Sequence, residues 1–124
     1  MALSEAEICA QLREVFPELR EDLNDECFQA IHLQLSCLMR ATQAAISDAD
    51  RKFLQRAFAF ADNSCRLGDP TVKNAIAVSF LEHLSFPDTK KRRRSWAFDM
   101  MTPLLQQEYR EVMAYLNALH DRPS

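Results

Sequence analysis

Apolar residues recur three and four positions apart along almost the whole chain, and no stretch alternates apolar and polar residues at every second position. That rhythm predicts helices and no strands. The densest run is Asp69 to Leu84. At 100° per residue, Val72, Ile76, Val78, Phe80, Leu81 and Leu84 spread around most of its circumference. A surface helix keeps its apolar positions on one stripe, so this one is expected to be central and covered on several sides. Its start is well marked. Gly68, the only glycine, is placed to end the preceding helix in the left-handed conformation, Asp69 to cap the next, and Pro70 to occupy its first turn. Residues 70 to 84 as a helix would span about 22 Å, enough to cross a small domain.

The flanking elements follow from the same pattern. Ser4-Glu5-Ala6-Glu7 is a capping box, and the helix it opens runs to about Val15, with Ile8, Leu12 and Val15 on one side. Pro17 stops it, because the residue before a proline is pushed out of the helical region. Asn24 is a plausible cap for a helix over about 25 to 45, where Phe28, Ile31, Leu35, Leu38, Thr42 and Ala45 form an antiparallel packing seam. Ser47 to Asp50 reads as loop and cap. A third helix runs from about Asp50 to Leu67 and forms a tight hairpin with the central one. A short helix is expected around residues 91 to 101, and Thr102-Pro103 opens the last, with Leu105, Tyr109, Val112, Leu116 and Leu119 on one face. The expected architecture is all-α: one domain over 1–124, a compact bundle of five or six helices around a buried central helix at about 70–84.

Composition adds a compartment and a charge pattern. With 124 residues, 48% hydrophobic and 27% charged, the chain is long enough to bury a core without staples. No run approaches the roughly 18 apolar residues of a membrane span, and Met1 to Glu5 lacks the features of a signal peptide, so the expectation is a cytoplasmic protein. Cys9, Cys27, Cys37 and Cys65 sit in apolar helical patterns without Cys-x-x-Cys spacing and read as reduced, buried small hydrophobes. Net charge is −3 but unevenly spread: residues 1 to 26 hold eight acids and two bases, −6, and the remainder ten acids and thirteen bases, +3. Five bases are consecutive, Lys90 to Arg94.

Catalytic signatures are absent from the sequence. One glycine leaves no room for a phosphate-cradling loop or a dinucleotide fingerprint. His32, His83 and His120 fall on different expected helices and in no metal-ligand spacing, so neither an enzyme nor a metal or other cofactor is expected. The turn at Leu67 to Pro70 superficially suggests a helix-turn-helix. Its second helix, however, offers Val72, Ile76, Phe80 and Leu84 with Lys73 as its only base, which is core and not a reader of base edges. The basic run is less easily dismissed. A helix starting near Lys91 would crowd cations at the end where its dipole disfavours them. Lys91, Arg92 and Arg93 with the nearby Trp96 could therefore grip a phosphate backbone or an acidic protein, the alternative being a solvated loop. Asn74 and Glu82 interrupt the apolar central helix. Hydrogen bonding between neighbouring helices explains them better than a binding groove.

The combination of Phe16-Pro17-Glu18-Leu19, the run from Phe60 to Asp69, and Asn74 to Leu84 is similar to a loose group of small, mostly uncharacterised all-helical bacterial proteins. The similarity covers about two-thirds of the chain. Some small proteins of that kind are immunity partners of toxins, which implies a protein that neutralises a cognate toxin by tight complex formation. The residues expected to meet such a partner are the acids Glu14, Glu18, Glu21, Asp22, Asp25 and Glu26. Lys91, Arg92, Arg93 and Trp96 form the other candidate face, used if the partner is acidic or if the protein is instead a nucleic-acid-associated or regulatory adaptor.

Overall fold

The computed structural model describes residues 2–25, 30–86, 88, 90 and 94–120, with only the backbone for Asn24, Asp25 and His120. Among them run seven α-helices: α1 (Glu5–Val15), α2 (Arg20–Asp25), α3 (Ile31–Asp48), α4 (Arg51–Leu67), α5 (Pro70–Ser79), α6 (Ser95–Met100) and α7 (Pro103–His120). Two 3₁₀ turns, Pro17–Leu19 and Leu81–His83, interrupt them. The protein is an all-α bundle, with more helices than the five or six that periodicity suggests. α5 is at its centre, packed against α1, α3, α4 and α7.

Local chemistry explains the helix starts. Ser4 Oγ accepts from the Glu7 amide at 3.3 Å while Glu7 accepts from the Ser4 amide at 3.2 Å, the reciprocal capping box. Asp50 caps α4 through the Phe53 amide at 3.2 Å, and Asp69 caps α5 through the Val72 amide at 2.9 Å. Thr102 caps α7 through the Leu105 amide at 3.2 Å. α3 departs from this pattern. It begins at Ile31 behind Ala30, which makes no side-chain cap, and Asn24 lies within α2. The expected Cys27 and Phe28 positions lie outside the described residues.

Gly68 corrects another expectation. Its φ of −73° and ψ of 157° are extended, not left-handed. What requires glycine there is space: a Cβ would lie 2.4 Å from Val72 Cγ1 and 2.5 Å from the Ser64 carbonyl oxygen. The extended backbone also pairs with the N-terminal segment, Leu3 donating to the Leu67 carbonyl at 2.7 Å and Asp69 donating to the Leu3 carbonyl at 2.9 Å. Among the described residues the left-handed one is Ala49, φ 56°, which ends α3 with its own amide and that of Asp50 turned back onto Ile46 and Ala45.

The central helix is shorter than its apolar run. α5 stops at Ser79, Phe80 turns to φ −120° and ψ −68°, and the chain continues as a 3₁₀ turn. The break lets Val72, Ile76, Phe80, Leu81 and Leu84 all be buried, while Val78 stays 37% exposed. After the turn, Gln43 holds the Ser85 backbone at both ends, accepting from its amide at 2.8 Å and donating to its carbonyl at 3.2 Å. Phe86, Phe98 and Tyr109 then meet edge to face, centroids 5.1–5.8 Å apart, fastening this segment to α6 and α7.

Candidate partner-binding surfaces

The N-terminal acids are split by the fold. Glu14, Glu21 and Asp22 are exposed at the end of α1 and on α2. Glu18 is engaged internally: both its carboxylate oxygens accept from Arg56 of α4, whose Nη1 also donates to the Val15 carbonyl at 3.0 Å. That hydrogen-bonded pairing holds the Glu18 carboxyl below its usual range. Glu18 is thus a clasp between the first 3₁₀ turn and α4, and less available to a partner than its neighbours. The Asp25 side chain and Glu26 lie outside the described residues.

The basic run sits between the second 3₁₀ turn and α6. Lys91, Arg92 and Arg93 lie outside the described residues, but the residues that flank them are held together. The Asp88 carboxylate accepts from the amides of Arg94 at 2.8 Å and Ser95 at 3.0 Å, so it holds the start of α6. α6 therefore begins at Ser95, after the basic residues, and not near Lys91. Trp96 is half-buried against the core, with the Arg51 guanidinium 4.1 Å from its ring centroid. One face of the indole is already occupied by a cation.

A third surface is one that sequence reasoning set aside. Between α5 with its 3₁₀ extension and α7 lies an open groove of about 400 Å³, lined by Asn74, Ala77, Val78 and Glu82 on one wall and Glu108, Glu111, Val112 and Tyr115 on the other. Asn74 and Glu82 do mark a groove and not a packed helix-helix gap, since Asn74 is exposed and Glu82 half-buried. Among the described residues the lining carries three carboxylates and no base. Glu111 accepts from Gln107 at 3.0 Å within α7. Tyr115 is 66% exposed, and Leu119, one turn further on the same face, 43%. The available signal was the polar pair Asn74 and Glu82. The opposing wall, 26 or more residues away in sequence, had no local mark.

Two other groupings bear on chemistry. His32 Nδ1 and Ser79 Oγ share a 2.6 Å hydrogen bond that ties α3 to α5, although the residues are 47 positions apart. Among the described residues no carboxylate is bonded to that imidazole. Cys9, Cys37 and Cys65 are buried thiols, and burial raises the pKa of Cys9 and pushes that of Cys65 up to about 12. Such thiols are poor nucleophiles and poor metal ligands. Among the described residues there is no group of three or more His, Cys, Asp or Glu able to hold a metal ion, and no helix long and apolar enough to cross a membrane.

These features define a class: an all-α bundle with an open, acid-rimmed groove beside its central helix. More particularly, residues 9–117 match the family described as Domain of unknown function (DUF7674), and the chain belongs to that family. The match takes in most of α1 and runs into the last turn of α7. No curated protein and no solved structure matches the chain.

Proposed function

We propose that this protein works by stoichiometric binding and not by turnover, as an immunity-type partner that neutralises a toxin domain by covering it. The observation that carries the reading is the exposed acidic end, where Glu14, Glu21 and Asp22 face solvent in a segment of charge −6. A toxin domain that attacks nucleic acid must be basic to hold phosphates. An acidic surface mimics that substrate and steers a fast encounter, while apolar contact elsewhere supplies the lifetime of the complex. The similarity of Phe16-Pro17-Glu18-Leu19, the run from Phe60 to Asp69, and Asn74 to Leu84 to a mostly uncharacterised group of small helical bacterial proteins, some of which are immunity partners of toxins, supports the same reading.

The test is to co-express the protein with the product of the gene immediately upstream and measure capture and association rate. A tight one-to-one complex that blocks the toxicity of that product is expected. Changing Glu14, Glu21 and Asp22 together to lysine should slow association at least tenfold at low salt. Glu18 is left out of the set because its loss would also open the Arg56 clasp. A neighbouring product that is harmless, or that binds no better than bystander proteins, would end the immunity reading. So would salt-sensitive binding of mixed nucleic acid that disappears when Lys91, Arg92 and Arg93 are changed to glutamate, because the basic run would then be the working surface.

A further inference from the structure

We propose that the groove between α5 and α7 receives a basic amphipathic helix from the protein partner, an inference that takes the binding role above as its premise and assigns it a second site. The geometry of the walls comes first. Asn74 and Val78 stand four apart along α5, with Glu82 of the following 3₁₀ turn extending that wall, and Glu108, Val112 and Tyr115 recur four and three apart along α7. Two ridges at helical spacing with a trough between them are the seat that a third helix fills with its own row of side chains.

The apolar lining selects the row that enters. Ala77 and Val78 supply it from one wall and Val112 from the other. Beyond them Tyr115 and Leu119 continue the same face of α7 at spacings of three and four, 66% and 43% exposed. From Val112 to Leu119 is about 10 Å of helix, so the complete seat suits two to three turns of a partner with apolar anchors at i, i+4 and i+7.

The rim decides the sign of the flanking charges. Glu82, Glu108 and Glu111 line the groove and, among the described residues, no basic side chain does. Three carboxylates around an apolar trough reject an acidic helix and favour one that flanks its anchors with lysine or arginine. A second copy of this chain is the competing occupant.

Two synthetic 15-residue helices serve as probes, each with leucine anchors at i, i+4, i+7 and i+11, one carrying lysine and the other glutamate at all flanking positions. Fluorescence anisotropy with the full-length protein at low salt should show the lysine helix binding at least tenfold more tightly. The triple variant Glu82→Lys, Glu108→Lys, Glu111→Lys should lose that preference or reverse it. The variant Glu14→Lys, Glu21→Lys, Asp22→Lys changes net charge by the same amount and should retain it. Tyr115→Ala should weaken the lysine helix at least fivefold with helical circular dichroism unchanged.

Equal binding of the two helices, or equal losses from the two triple variants, would overturn the proposal. A dimer in sedimentation equilibrium that Tyr115→Ala dissociates would overturn it too, by giving the groove to a second copy. The two readings separate cleanly. If the upstream product is captured as tightly by the groove variants as by the parent, the groove assignment falls and immunity stands. If the lysine helix binds as described but that product is not captured, the groove stands and immunity falls.

Discussion

Arg56 and Glu18, 38 residues apart in sequence, meet as a two-pronged ion pair, with the Arg56 guanidinium also lying 5.3 Å from the Phe16 ring centroid and 5.4 Å from that of Phe53. Both side chains are about two-fifths exposed, 40% and 45%, so solvent screens the charges. Glu18→Gln should cost about 0.5–1 kcal/mol, and Arg56→Ala more, because the second change also removes the contact to the Val15 carbonyl and the cover over two rings. Arg56→Lys should not restore the loss, since an ammonium cannot make the paired geometry. The Glu18 carboxyl has a folded pKa below its usual 4.5, so its contribution is present above about pH 4.5 and is lost as pH falls through the depressed value. Urea midpoints between pH 3 and 7 for parent and Glu18→Gln should converge at the acid end.

Gly68 and Ala49 predict opposite outcomes. Gly68→Ala places a methyl within 2.5 Å of a backbone oxygen and should destabilise by about 1–3 kcal/mol, freeing the Leu3 segment at the same time. Ala49→Gly removes a methyl from a left-handed residue and should stabilise by about 0.5–1 kcal/mol. Thermal midpoints of the two variants moving in opposite directions would confirm the assignment. A rise for Gly68→Ala would contradict it.

The buried thiols predict an alkaline weakness. Cys65 ionises in the folded protein only near pH 12, against 9.0 when exposed, because burial penalises the thiolate. The folded state therefore holds its proton where the unfolded chain has released it. Stability from this group is complete below about pH 9 and falls as pH rises toward 12. Cys65→Ala should flatten that decline. At neutral pH, Cys9, Cys37 and Cys65 should react with a thiol reagent only as fast as the protein opens.

Phe80 carries the turn from α5 into the 3₁₀ segment while fully buried. Phe80→Ala should cost about 3–5 kcal/mol, a large share of a domain's stability. Phe80→Leu should cost much less while keeping the fold. Amide exchange should be slowest around Val72 to Ile76, and facile exchange there would show that α5 is not the centre of the bundle.

Much of the fold was legible in the sequence wherever a short stretch sufficed. The starts at Ser4, Asp50, Asp69 and Thr102 each rest on one side chain and an amide three residues later, so the deciding atoms are neighbours along the chain. The stop before Pro17 is steric and equally local. The all-α class followed from the three-and-four spacing of apolar residues, and the hairpin of α4 and α5 from its short connection.

Tertiary structure alone decided the rest. Nothing between Val78 and Leu84 announces that the helix breaks at Phe80. The break arises because Phe80, Leu81 and Leu84 must all reach apolar surroundings supplied by other helices. Gly68 looked like a left-handed stop, and the close approach of Val72 and Ser64 gave it a different task. Glu18 looked like one of several free acids until α4 brought Arg56 to it. The groove was hidden for the same reason. Asn74 and Glu82 are polar whether they face a neighbour or solvent, and only the placement of Glu108, Glu111 and Tyr115 opposite them makes an acid-rimmed trough. Spacing along one helix records which residues share a face. It does not record what stands across from them.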